Sequence, residues 1–269
     1  MNRLRLIGLC IVAVAATSAM MAASASALAP EPEYGRCIKK AKVEGSGFSD
    51  SKCNKGVATK AKYEWLPGAV KKGQTTLNTT GGTLETINKL GVHCASETST
   101  GEYFGSKEVK NIIVKFKKCE SAAFTCTSPG KEVGELETKT LEGVAVIEKR
   151  YIKEGKEEPS KNKLALDLYP AGKTGLFIEF ACVDISAVKV EGSILVPVKS
   201  NTMMTTGELK YKATKGKQKP EDYETPSGEK VQDVLFSEFV GKGKGFEQAG
   251  QTITTKVTNE EPLELNSVL

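Results

Sequence analysis

His93 is the only histidine among 269 residues. A multi-histidine metal site is therefore excluded, and a single imidazole remains for any proton relay. It stands in "LGVHCAS", beside Cys94 and three residues before Ser96. A serine nucleophile would need that imidazole within hydrogen-bond reach and a third group to orient it. The apolar-polar alternation around His93 instead reads as a strand. "AGKTG" at 171–175 has the ending of a phosphate loop, but the first glycine of that motif would fall at 167, where Asp167 stands. Carboxylate pairs for acid–base hydrolysis cannot be singled out by spacing from 33 acidic side chains.

A second pattern with chemistry in it is Ser-x-x-Lys followed by Ser-x-Asn and Lys-Thr-Gly, the order found in penicillin-recognising serine enzymes. The chain carries "SDSK" from Ser49, "SPGK" from Ser128, "SKN" from Ser160 and "KTG" from Lys173. Five Ser-x-x-Lys matches occur in all, which is cheap in a lysine-rich sequence. That chemistry needs its serine at the start of a helix, with the lysine one turn on to take the proton. Both candidate serines lie in turn-like, helix-poor sequence.

The remaining candidate is "YEWLPG", which holds the sole tryptophan. On a strand, Tyr63 and Trp65 point to one face and Glu64 to the other, and Pro67-Gly68 then supply the centre of a turn. Two such rings cover on the order of 300–500 Å². They either close a core where the N-terminal segment meets the main sheets or form a floor on which a sugar stacks. Tyr63 and Trp65 are thus the candidate ligand-binding residues, and no catalytic residue is assigned.

The compartment is read from the first residues: Arg3 and Arg5, an apolar run, then "ASA" at Ala25–Ala27 form a secretory leader over 1–27. Cys10 lies early in its apolar run after Leu9, the wrong context for acylation. No later run is long enough to span a membrane, since "GLFIEFACVDI" is broken by Glu179 and Asp184. Beyond the leader six cysteines remain, Cys37, Cys53, Cys94, Cys119, Cys126 and Cys182, an even number that reads as three disulfides in an oxidising compartment. Proximity along the chain favours Cys37–Cys53, Cys119–Cys126 and therefore Cys94–Cys182. A cysteine zinc site lacks any CxxC pair. No metal or other cofactor is expected.

Of 38 basic side chains two lie in the leader, leaving 36 against 33 acidic. Nearly all are lysine; only Arg36 and Arg150 remain beyond the leader. Nucleic-acid readers favour the planar guanidinium, so no nucleic-acid partner is expected.

These residues must be positioned by strands. "NKLALDLYP" places Leu164, Leu166 and Leu168 on one face, "NIIVKFKK" does the same with Ile112, Val114 and Phe116, and "GELKYKAT" with Leu209 and Tyr211. Glycine, proline and asparagine punctuate these runs at short intervals, and no helical apolar period appears beyond the leader. The expectation is an all-β protein: about a dozen antiparallel strands in a sandwich or barrel, stapled by disulfides. Residues 28–66 form a small disulfide-linked N-terminal segment and 67–269 the main β domain.

The pieces "GRCIKKAKVEGSGFSDSKC", "GGTLETINKLGVHC", "GEYFGSKEVKNIIVKFKKCE" and "FEQAGQTITTKVTNEEPLELN", with "YEWLPG" and "YKATKGKQKP", resemble a group of secreted proteins of actinobacteria. The resemblance spans nearly all of the chain beyond the leader, and rests on the order of the pieces and the cysteine placement. It implies an exported, β-rich product and assigns no catalytic residue. The expectation is an exported, non-enzymatic binding or structural module at or outside the cell envelope, with cell-wall or extracellular polysaccharide as the partner class. The competing expectation is a secreted hydrolase using a carboxylate pair or Ser/Lys.

Overall fold

The computed structural model describes residues 31–41, 45–89, 91–183, 187–198, 202–241, 243 and 245–267. The expected leader at 1–27 lies outside them. The regular structure of the described residues is strand, apart from one 3₁₀ turn at Pro159–Lys161. In chain order the strands are β1 Glu33–Lys39, β2 Gly47–Phe48, β3 Gly56–Val57, β4 Tyr63–Pro67, β5 Gly73–Asn78, β6 Gly82–Thr86, β7 Gly91–Phe104 and β8 Glu108–Ser121. There follow β9 Phe124–Thr127, β10 Leu136–Glu137, β11 Leu141–Lys149, β12 Ile152–Lys153, β13 Lys156–Glu157, β14 Lys163–Pro170, β15 Leu176–Cys182 and β16 Ala187–Gly192. The last are β17 Ile194–Pro197, β18 Met204–Thr214, β19 Lys217–Lys219, β20 Asp222–Glu224, β21 Lys230–Gln232, β22 Leu235–Phe239 and β23 Glu247–Asn266.

The strands close on themselves twice. One ring runs β6–β7–β8–β9–β15–β16–β22–β23 and returns to β6, each step antiparallel. The other runs β5–β7–β8–β11–β14–β17, crosses to β18 by the Val198↔Leu209 bridge, and returns through β23 to β5. Three long strands of 14, 14 and 20 residues, β7, β8 and β23, belong to both rings. Closure of this kind removes sheet edges, which decides between sandwich and barrel. Along β7 the buried positions switch from Val92 and Cys94 to Glu97, Ser99, Gly101 and Tyr103, so the strand changes its inward face as it passes from one ring to the other. The main core runs through both interiors, with Val109, Leu141, Ile147, Phe180 and Ile194 at most 1% exposed.

The alternation read from sequence lands as expected. Leu164, Leu166 and Leu168 face the main core, where Ile112 is buried and Val114, Phe116, Leu209 and Tyr211 pack against it. No helix of the described residues is long and apolar enough to cross a membrane.

All six cysteines are paired, but two of the three expected partnerships are corrected. Cys37–Cys53 is present; the others are Cys94–Cys119 and Cys126–Cys182. Register is the reason: Cys94 faces Cys119 across β7–β8, and Cys126 faces Cys182 across β9–β15. The β8–β9 hairpin that would bring Cys119 to Cys126 stops at Glu120↔Thr125, because the Cys119 amide donates to the Gly134 carbonyl instead. The two bridges thus flank the β8–β9 hairpin, which has only two residue pairs, as does the β9–β15 join that Cys126–Cys182 crosses.

The N-terminal segment is built on β1, which pairs with β4 on one side and with the end of β23 on the other. Cys37 lies opposite Trp65, so the Cys37–Cys53 bridge and the indole share a small satellite core with Met203, Phe48 and Tyr63.

Candidate functional site

Trp65 is 6% exposed. Its ring lies so close over Gly35 that a Cβ there would sit 2.1 Å from the ring, and its Nε1 donates to Glu264 at 2.8 Å. An indole enclosed in this way offers no face to a ligand. Tyr63 is half-buried beside it, so the pair is the core bolt of the two readings.

A different aromatic and carboxyl set converges on the outer face of β14. Leu164, Leu166 and Leu168 point inward, so Ala165, Asp167 and Tyr169 share the opposite face. That face is covered as well. Ala165 packs with Val146 and Leu195 in a separate small core, against which Tyr223 of the β20–β21 hairpin rests. The hairpin is held down by the Ile147↔Glu224 pair and by Arg150, which bonds Glu157 at 2.7 Å and the Thr225 carbonyl at 3.0 Å. Asp233 follows the hairpin, its amide bonded to the Glu221 carbonyl. Gly192 lets the β16–β17 corner approach it: φ is +94° and a Cβ would lie 2.3 Å from the Val234 carbonyl oxygen. Ser193 is thereby set beside Asp233.

Asp167 and Asp233 are 8% and 1% exposed, and their carboxyl groups are in contact. Neither carries a donor when ionised, so the contact requires a shared proton. Burial raises the Asp167 carboxyl, opposed by Asp233 and Lys173. Burial, and then the neighbouring Asp167, push Asp233 up to about 9, opposed by the Ser193 hydroxyl beside it. Tyr169 is pushed up to about 12 by burial and then by Asp167, and Tyr223 is raised in the same way.

Above Asp167 opens a pocket of about 460 Å³ lined by Tyr169, Lys173, Ser193, Tyr223 and Gln232. The Lys173 ammonium stands 5.4 Å from the centre of the Tyr169 ring. Aromatic faces with a carboxyl, an ammonium, a hydroxyl and an amide around them suit a polyhydroxylated ligand. Another open groove, about 370 Å³ between Gln74, Glu102, Asn111 and Glu260, has no aromatic lining.

The other sequence candidates are not brought together as a reaction centre. His93 is exposed, its Nδ1 3.4 Å from the Thr83 hydroxyl. Ser128 donates to the Glu179 carbonyl at 2.8 Å, while Lys131 bridges Glu137 at 2.6 Å rather than serving that hydroxyl. Lys173 of "KTG" is at the pocket. Arg36 donates to the Gly68 carbonyl, so both arginines beyond the leader have structural partners.

Asp167 and Tyr169 could have been found from sequence. With Leu164, Leu166 and Leu168 assigned inward, an Asp and a Tyr two apart are left on one outer face, the same argument that selected Tyr63 and Trp65. Asp233 carries no such signal; it meets Asp167 only through the fold. Set against known protein families, characterised proteins and solved structures, the chain matches none.

Proposed function

We propose that this chain is an exported, non-enzymatic binding module acting at or outside the cell envelope, with a cell-wall or extracellular polysaccharide as its ligand. One observation carries the reading: the open pocket in which Tyr169 and Tyr223 border the Asp167 carboxyl and Lys173. Tyrosine faces take up the apolar faces of sugar rings while carboxyl, ammonium and amide groups bond the hydroxyls. Three disulfides fit a protein that works in an oxidising compartment.

The carboxyl pair also favours a second reading, a carboxylate hydrolase, but less well. Glycosidases hold their two carboxyls at least about 5 Å apart on either side of the scissile bond. Here the two touch, and Asp233 does not line the pocket.

Pull-down of the purified protein on cell walls and insoluble polysaccharides tests both readings. Binding that is lost in Tyr169→Ala/Tyr223→Ala with the melt unchanged supports the module. Binding that survives that double substitution refutes the pocket. Release of reducing ends that stops in Asp167→Asn would establish the hydrolase.

A further inference from the structure

We propose that Asp167 and Asp233 form an oxygen-ligand site for a divalent cation of the calcium type, reached through the pocket above Asp167. Three carboxylate oxygens, Asp167 Oδ1 and both oxygens of Asp233, are buried without a hydrogen-bond donor. The residues that carry them are only 8% and 1% exposed. A single shared proton satisfies one contact and leaves the other lone pairs bare. A hard cation engages them together, because calcium takes carboxylates in mono- or bidentate fashion and tolerates unequal ligand sets.

The surroundings fit that ion. Ser193 supplies a hydroxyl beside Asp233, and the open pocket admits the waters that complete a shell of six to eight oxygens. Among the described residues no third His, Cys, Asp or Glu joins the pair. Lys173, which acts on Asp167, further limits the affinity. Both features place the site in the weak class, with Kd on the order of 10⁻⁴–10⁻³ M, typical of extracellular modules. Magnesium, which demands a tight octahedron, fits it less well.

The two acids lie 66 positions apart and meet only because the β20–β21 hairpin folds over β14. Residue spacing therefore leads to the opposite expectation, that no metal binds.

Terbium, a luminescent stand-in for calcium, tests the site. Tyr169 and Tyr223 border Asp167 and serve as the light-absorbing donors. Chelator-treated protein titrated with terbium should give tyrosine-sensitised emission that saturates at one ion per chain, and millimolar calcium should displace it. Asp167→Asn/Asp233→Asn should abolish that emission. If the double variant fails to fold, Asp233→Asn alone should weaken terbium binding at least tenfold. Absence of sensitised emission, or emission unchanged by these substitutions, overturns the proposal. No glycan is present in this titration, so its failure is distinct from failure of the saccharide reading.

Discussion

At the scale of single residues, the tryptophan and a buried glutamate carry the clearest consequences. Trp65 fills the space between the Cys37–Cys53 bridge, Met203 and Gly35, and its one polar atom is matched by Glu264. Truncation to alanine removes that volume and strands a carboxylate. We expect Trp65→Ala to cost about 3–5 kcal/mol, roughly 10 °C in a chain of this size. An unshifted melt, or indole emission typical of full exposure in the wild type, would contradict the packing. Glu97 is 4% exposed between the hydroxyls of Thr76 and Thr255. Burial raises its carboxyl above the ordinary 4.5, more than those two hydroxyls lower it. A raised acid contributes stability that is full below its unfolded value and is lost as pH rises through its folded value. Glu97→Gln therefore gains melting temperature relative to the wild type between pH 4 and pH 8. Parallel profiles would show that Glu97 is not the source.

At the scale of elements, register decides what spacing could not. Short runs such as "NKLALDLYP" disclosed their inward face, because period-two alternation is local. What covers the outward face depends on a hairpin more than fifty residues later, so the burial of Asp167 and the supporting role of Tyr223 stayed hidden. The cysteines teach the same lesson. Cys119 and Cys126 are close in sequence and joined by a hairpin, yet pairing across that hairpin ends one position short of them. Cleavage after Phe124 under non-reducing conditions separates the two, and should leave Cys119 linked to the Cys94 peptide and Cys126 to the Cys182 peptide. A Cys94–Cys182 peptide would disprove the register. Loop lengths of 16, 25 and 56 residues also rank the bridges. Replacing the pairs by alanine should cost about 3, 3.5 and 4 kcal/mol respectively by chain entropy. The last also leaves the join between β9 and β15 with two residue pairs and no covalent tie.

At the scale of the whole molecule, the two rings cannot be treated as separate folding units. Neither their closure nor their sharing of strands was legible in the sequence. β6 meets β23 through pairs such as Leu84↔Gln251, a contact that no local pattern encodes. Because β7, β8 and β23 each run through both interiors, opening one ring strips partners from strands that close the other. The main core is likewise one continuous cluster, from Phe180 and Val190 in the first ring to Leu166 and Leu263 in the second. Both facts predict a single cooperative unfolding transition, with calorimetric and van't Hoff enthalpies equal. Phe180→Ala, at the interior of the first ring, should lower that one transition by about 3–5 kcal/mol. Leu166→Ala, in the second ring, should lower the same transition by about 2–5 kcal/mol. Hydrogen exchange should show the amides of β7 and β23 losing protection together in either variant. If Phe180→Ala instead split the melt into two, leaving β11, β14 and β18 protected at the wild-type temperature, the rings would be independent domains and the shared strands only a passive spine.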